Sequence, residues 1–176
     1  MLRILLYALF INCSLQAQQP FTPAHPDVQH YEFQIAVSDS SDRIEGAATI
    51  QCLIVTPGNQ LTFDLTGPRP NGHGMLVKSV NGGSQPLEFK QENDRLSIYF
   101  KKPLRKEEKT SIRIAYEGIP DDGLIIARNK FGDRGFFADN WPKRAHDWIP
   151  CIDHPADKAM VDFIIKAPAH YQVVAN

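Results

Sequence analysis

The chain has 176 residues, enough for one domain with short appendages, and its 43% hydrophobic and 22% charged residues are ordinary for a soluble globular protein. Its formal net charge of −1 gives no electrostatic basis for binding nucleic acid or an anionic membrane, so neither is predicted as a partner. Thirteen prolines and eleven glycines favour many turns and short elements.

The first 17 residues have the pattern of a secretory signal peptide. Arg3 supplies a positive charge, residues 4–13 are almost entirely apolar, and Ala17 is the small residue before the cleavage point. The apolar run is too short to cross a hydrocarbon core of about 30 Å, so no transmembrane segment is expected after cleavage. We therefore predict a signal peptide over 1–17, a polar segment over 18–25, and export to a periplasm, the medium or the cell surface. The alternative is a buried N-terminal strand or helix.

Alternating apolar and polar residues then predict a series of strands, over residues 28–37, 44–55, 61–65, 75–80, 87–89, 96–100 and 111–116. In the first strand Tyr31, Phe33, Ile35 and Val37 share the apolar face, and Val28 falls on the other face. Asn81-Gly82 and the turn at residues 92–94 indicate hairpins. Regularly spaced strands without a long helical period predict an all-β sandwich or open sheet.

The second part of the chain is less regular. Residues 123–127 can form a strand, whereas residues 129–155 mix aromatics, prolines and charges and predict an ordered loop with one short helical turn near 143–147. Strands are predicted again over 160–165 and 171–174. Because no turn or cap follows the last of them, we expect the polypeptide to continue beyond residue 176.

A complete catalytic constellation is missing from the sequence. The six histidines show no H-E-x-x-H or H-x-H spacing, and there is no C-x-x-C pair, G-x-S-x-G elbow or phosphate-binding loop. The sequence therefore predicts no catalytic and no metal-binding residue in this chain. Cys52 and Cys151, which follow the signal peptide, can form a disulfide in an oxidising compartment, but free buried thiols are the favoured interpretation.

Residues 139–159 are the most informative stretch, with two tryptophans, three prolines and two histidines. Ordered aromatic loops often line ligand sites. The structural alternative is a loop that pins the sheet to a neighbouring domain, in which Trp141 and Trp148 bury ring area and Asp153 accepts backbone hydrogen bonds.

The same stretch resembles the aminopeptidase N family of zinc metallopeptidases. Its W-I-P-C-I-D-H-P-A-D-K-A run at 148–159 is similar to the family form W/F-x-P-C-x-D-x-P-x-x-K-A, and residues 164–176 resemble the family's V-x-x-P-x-x-Y-x-V-V-S-N. The starts of the first two strands, at 28–31 and 44–46, are similar as well. The resemblance covers residues 26–176 and implies a saddle-like, mostly antiparallel β domain that packs on a thermolysin-like catalytic domain of the same polypeptide.

The family's zinc site lies in that catalytic domain, in H-E-x-x-H and a more distant Glu, and its G-[AG]-M-E-N motif binds the substrate's amine. None of these motifs occurs in residues 1–176, so the resemblance implies zinc as a cofactor of the intact enzyme, none in this chain, and no activity of the chain alone.

One contribution of this domain to the family's active site is a Gln or Glu from the loop before the P-C-x-D segment, which helps hold the N-terminal amine of a peptide substrate. That position falls on Trp141 here, with Asp139 two residues earlier. Asp139 or Asn140 can replace the missing side chain, since each offers an acceptor oxygen, and Trp141 can form a wall beside the substrate's first side chain. The substrate-binding candidates are thus Asp139, Asn140 and Trp141. The competing function is a free-standing β module for adhesion or carbohydrate contact.

Overall fold

The computed structural model describes residues 26–175; the predicted signal peptide and the segment 18–25 lie outside them. Its strands are β1 (Asp27–Ala36), β2 (Ile44–Leu53), β3 (Gly58–Asp64), β4 (Gly74–Gly82), β5 (Gln85–Pro86), β6 (Glu88–Glu92), β7 (Arg95–Leu104), β8 (Lys109–Ile119), β9 (Leu124–Arg128), β10 (Arg134–Ala138) and β11 (Met160–Lys166). A 3₁₀ turn at Ala145–Asp147 confirms the short helical turn predicted near 143–147.

The strands form three open sheets. A six-stranded sheet has the order β11-β1-β2-β8-β4-β5, a three-stranded sheet has the order β3-β7-β6, and β9 and β10 form a separate hairpin. All neighbours pair antiparallel except β1 and β11, which are parallel. The two larger sheets share one core, in which Phe33 and Ile112 of the large sheet are buried with Phe63 and Ile98 of the small one. The prediction of an all-β, mostly antiparallel open-sheet domain is confirmed.

The period-two pattern of β1 predicts its buried face correctly, with one exception. Tyr31, Phe33 and Ile35 are buried as expected. Val28 is buried too, although strict alternation places it on the polar face. A register shift between Val28 and His30 in the pairing with β2 inserts an extra residue and turns Val28 inward.

Two hairpin turns show how backbone preference sets register. Asn93 and Asp94 both have positive φ (51° and 58°) between the paired residues Glu92 and Arg95, as a two-residue type I′ turn requires. The other hairpin turns at Gly83 and Ser84, because Gly82 already pairs with Gln85. The Asn81-Gly82 prediction is therefore displaced by two residues, and Gly83 supplies the positive φ of 60°.

The region after residue 123 departs furthest from prediction. The strand at β9 is confirmed, but it pairs with β10, which lies inside the predicted loop. Residues 171–174 are not a strand: Tyr171 N donates to Pro168 O (3.0 Å) in a turn, and the Tyr171 ring packs edge-on against Phe136 (5.5 Å between centroids). None of the described strands pairs with residues 171–174, so the strand predicted there is wrong.

Candidate functional site

Residues 139–159, which we call the 139–159 segment, connect β10 to β11 and are fixed to the end of β3. Asp64 N donates to Cys151 O (2.7 Å) and Cys151 N donates to Asp64 O (3.1 Å), a two-bond bridge. Asp153 N also donates to the Asp64 carboxylate (3.1 Å). The segment is thus attached to the core sheet by backbone bonds at its middle.

A compact polar cluster holds the first half of the segment. The Asp153 carboxylate lies 2.6 Å from His146 Nδ1 and accepts from His146 N (3.2 Å). Thr66, just beyond β3, donates its N–H to His146 O (2.8 Å) and its hydroxyl to Asp147 (2.5 Å). The expectation that Asp153 accepts a backbone hydrogen bond within the turn is confirmed.

Tyr31 of β1 ties the second half of the segment to the large sheet. Its hydroxyl accepts from Ile152 N (3.0 Å) and donates to Asp157 Oδ2 (3.1 Å). Burial raises the pKa of the Tyr31 phenol, so the hydroxyl stays protonated and can donate. Burial also raises the pKa of the Asp157 carboxyl above its ordinary value, while the hydrogen bond from Tyr31 lowers it.

The two tryptophans of the segment differ sharply. Trp148 is 3% exposed, stacks on Phe163 (6.0 Å, 11° between planes), and donates its indole N–H to Asn140 Oδ1 (2.9 Å). Trp141 is 78% exposed and precedes a cis bond to Pro142. The structural expectation that both rings are buried therefore holds for Trp148 and not for Trp141 within this chain.

The three candidate residues directly follow β10 and form one tight loop, in which Asn140 and Trp141 are exposed and Asp139 is partly exposed. Asp139 accepts from Trp141 N (3.3 Å) and from Arg144 Nη2 (2.5 Å), and 38% of its side chain is exposed. Asn140 has its acceptor oxygen turned inward to Trp148. Sequence analysis did not identify Arg144, because its contact with Asp139 depends on the fold of the loop and follows no motif.

Residues 27–176 match the family model of the peptidase M1 N-terminal domain. The chain belongs to the peptidase M1 N-terminal domain family. The resemblance stated from the 148–159 run is thereby confirmed.

Solved structures agree with this assignment. The M1 zinc metallopeptidase from Deinococcus radiodurans is 26% identical with a TM-score of 0.67, over 82% of this chain and 33% of that chain. Yeast LTA4 hydrolase shares the fold at 18% identity with a TM-score of 0.68, over 81% of this chain and 23% of that chain. The chain thus spans about a third of the length of the M1 metallopeptidase it matches. No curated protein matches it.

The remaining titratable groups of this M1 N-terminal domain do not form a metal site. Among residues 26–175, no group of three or more His, Cys, Asp or Glu side chains is arranged to hold a metal ion. Cys52 and Cys151 are both free and buried. Burial raises the pKa of the Cys52 thiol to about 12, and burial together with nearby carboxylates raises the pKa of Cys151 well above its ordinary value.

No helix within the described part of the chain is long and apolar enough to span a membrane.

Proposed function

We propose that this chain is the non-catalytic N-terminal domain of an exported zinc aminopeptidase, and that it forms one wall of the site where the substrate's N-terminal amine binds. The observation that supports this most directly is the loop at 139–141. Hydrogen bonds with Gly123, Arg144 and Trp148 hold it to the domain, yet it carries a part-exposed carboxylate and a largely exposed indole.

The partner we propose is a thermolysin-like catalytic domain of the same polypeptide. An exposed apolar face on the β9–β10 hairpin supports a partner of this kind. Ile125 and Phe137 are cross-strand neighbours, 42% and 65% exposed, and Phe131 at the hairpin tip is exposed as well. Contiguous exposed apolar groups of this kind usually mark an interaction surface.

Asp139 is the better candidate for contact with the substrate amine. Its two oxygens each accept one hydrogen bond within the loop, and a carboxylate can accept about four, so it keeps capacity for an ammonium group. The Asn140 oxygen already accepts the Trp148 indole, and we assign Asn140 to holding the loop. Trp141 has the exposed area to line the pocket for the substrate's first side chain.

We place zinc in the proposed catalytic domain, in keeping with the solved M1 relatives, which are zinc metallopeptidases. An M1 zinc metallopeptidase mutant from Deinococcus radiodurans has been solved with a bound Tyr-Ser-Ala substrate, which is in keeping with peptide substrates here. The M1 family match does not favour the alternative of a free-standing adhesion module.

The test is a crystal structure of the full-length protein with a bound amino-acid analogue, together with the kinetics of Asp139→Asn and Trp141→Ala on an aminoacyl arylamide. We expect an Asp139 oxygen within about 3.5 Å of the ligand's amine, directly or through one water, and a raised KM in both variants. An amine bound elsewhere, with both variants kinetically unchanged, would reject the assignment. Export predicts that the mature protein begins at Gln18, which N-terminal sequencing of the exported fraction checks.

A further inference from the structure

Arg144 makes an unusual set of contacts with the loop at 139–141. Its Nε donates to Trp141 O (2.7 Å), its Nη2 donates to Asp139 Oδ2 (2.5 Å), and its backbone N donates to Asn140 O (3.1 Å). Its Nη1 also lies 3.5 Å from the Asp122 carboxylate, in the turn before β9. One side chain and its own backbone therefore contact all three candidate residues.

The backbone of Arg144 is held as firmly as its side chain. Gly123 has a φ of +75°, and a Cβ built there would lie 2.1 Å from Arg144 O and 2.8 Å from a ring carbon of Trp148. Gly123 O also accepts from Asp139 N (2.8 Å). The base of the hairpin, Arg144 and the start of the loop are thus packed without room for a side chain between them.

We propose that Arg144 is a positioning residue of the amine-binding wall: its guanidinium fixes the Asp139 carboxylate and the Trp141 carbonyl in one arrangement before substrate arrives. A guanidinium suits this role because its planar fork can donate to both acceptors at once, which a lysine ammonium on its flexible stem does less well. Ordering the loop in advance lowers the conformational cost of binding. This proposal rests on the proposed function of Asp139 and Trp141.

The experiment compares Arg144→Ala and Arg144→Lys in the full-length protein, with an aminoacyl arylamide as substrate. Arg144→Ala should raise KM by about tenfold or more while kcat changes less, since a misplaced anchor weakens binding in ground and transition states together. Arg144→Lys should give an intermediate KM. In a background of Asp139→Asn with Trp141→Ala, Arg144→Ala should have little further effect, because the carboxylate and the indole whose placement it controls are already replaced.

Arg69→Ala is the matched control. Arg69 also pairs with two aspartates, Asp94 (2.9 Å) and Asp121 (3.7 Å); its side chain is 42% exposed against 29% for Arg144, and none of these ion pairs reaches the loop at 139–141. We expect its KM to equal that of the unmodified protein. A comparable rise in KM in Arg69→Ala would show that loss of any such ion pair disturbs the domain, and would overturn the positioning role.

The experiment distinguishes failure of the positioning role of Arg144 from failure of the proposed function. If Asp139→Asn and Trp141→Ala raise KM while Arg144→Ala does not, the positioning role is wrong and the proposed function stands. If all three leave KM unchanged, both are wrong. Should Arg144→Ala fail to fold, Arg144→Lys decides: an unchanged KM in a folded Arg144→Lys protein overturns the proposal.

Discussion

Tyr31→Phe and Tyr116→Phe delete the same atom from two buried tyrosines, and only the first should destabilise the fold. Both side chains belong to the core, at 5% and 2% exposure. The Tyr31 hydroxyl bonds Ile152 N and Asp157 Oδ2, whereas the buried Tyr116 hydroxyl has no hydrogen-bond partner among residues 26–175. The pair therefore isolates the hydrogen bonds that tie the 139–159 segment to β1.

Tyr31→Phe leaves one backbone N–H without its acceptor and one carboxylate without its donor. Each loss costs about 1–3 kcal/mol when the group stays dry, but Ile152 and Asp157 are only half-buried, so water replaces part of the lost bonding. We expect a total loss of about 1–3 kcal/mol, or about 2–12 °C in Tm. The ring itself still stacks on Phe33 (5.4 Å).

Tyr116→Phe removes a hydroxyl whose burial is uncompensated, so it should leave the free energy of unfolding unchanged or raise it by about 1 kcal/mol. Urea unfolding followed by circular dichroism measures both variants against the parent chain. Equal destabilisation by the two substitutions would refute the argument, because it would mean that the Tyr31 bonds contribute nothing beyond the presence of a hydroxyl.

Three further predictions concern the core and its titratable groups. Asp157 has a raised pKa, so the folded state holds its proton more tightly than the unfolded chain does, and the free energy of unfolding falls as the pH rises through that pKa. Asp157→Asn should remove this fall in urea melts between about pH 3.5 and 7. The same pH dependence of stability in the variant and the parent chain would contradict the argument. Cys52 and Cys151 have raised pKa values, so both should resist a thiol reagent at about pH 8 in the folded protein and react once urea unfolds it. Peptide mapping reports the labelling of each cysteine, and rapid labelling of the folded protein would contradict the prediction. Gly46→Ala places a Cβ 2.2 Å from Tyr116 Cζ and should lower the free energy of unfolding by about 1–3 kcal/mol. The control Gly58→Ala has open space around its Cβ and should not destabilise the protein. Equal changes in Tm for the two variants would rule out the packing argument.

The sequence predicts the strands of this domain well because apolar and polar residues alternate along each strand. Tyr31, Phe33 and Ile35 lie at every second position, and all three are buried. The parallel pairing of β11 with β1 and the pairing of β9 with β10 could not be predicted, since they depend on which distant or irregular segments meet. The burial of Val28 depends on a bulge that no pattern announces.

The family resemblance located the candidate loop in the sequence, but it did not predict the geometry within the loop. Asp139, Asn140 and Trp141 are adjacent in the chain, so sequence alone treats them as equivalent positions. The fold separates them: the Asn140 oxygen faces Trp148 and the Trp141 ring faces outward. Arg144 belongs to no sequence motif. It contacts Asp139, five residues earlier in the chain, only because of the fold of the loop.

The residues that carry the family resemblance and the residues that depart from it have different structural roles. Trp148, Cys151 and Asp153 belong to the matching run. Cys151 and Asp153 bond Asp64 at the end of β3, and Trp148 and Asp153 also bond Asn140 and His146 within the 139–159 segment. Trp141 stands where the family resemblance leads us to expect Gln or Glu, and its side chain is 78% exposed. A substitution at the exposed position leaves those anchoring bonds intact. If the proposed function holds, the groups of the amine-binding wall can change while the attachment of the segment to the core stays the same, and we therefore propose Asp139 and Trp141 as the positions that set the specificity of that wall.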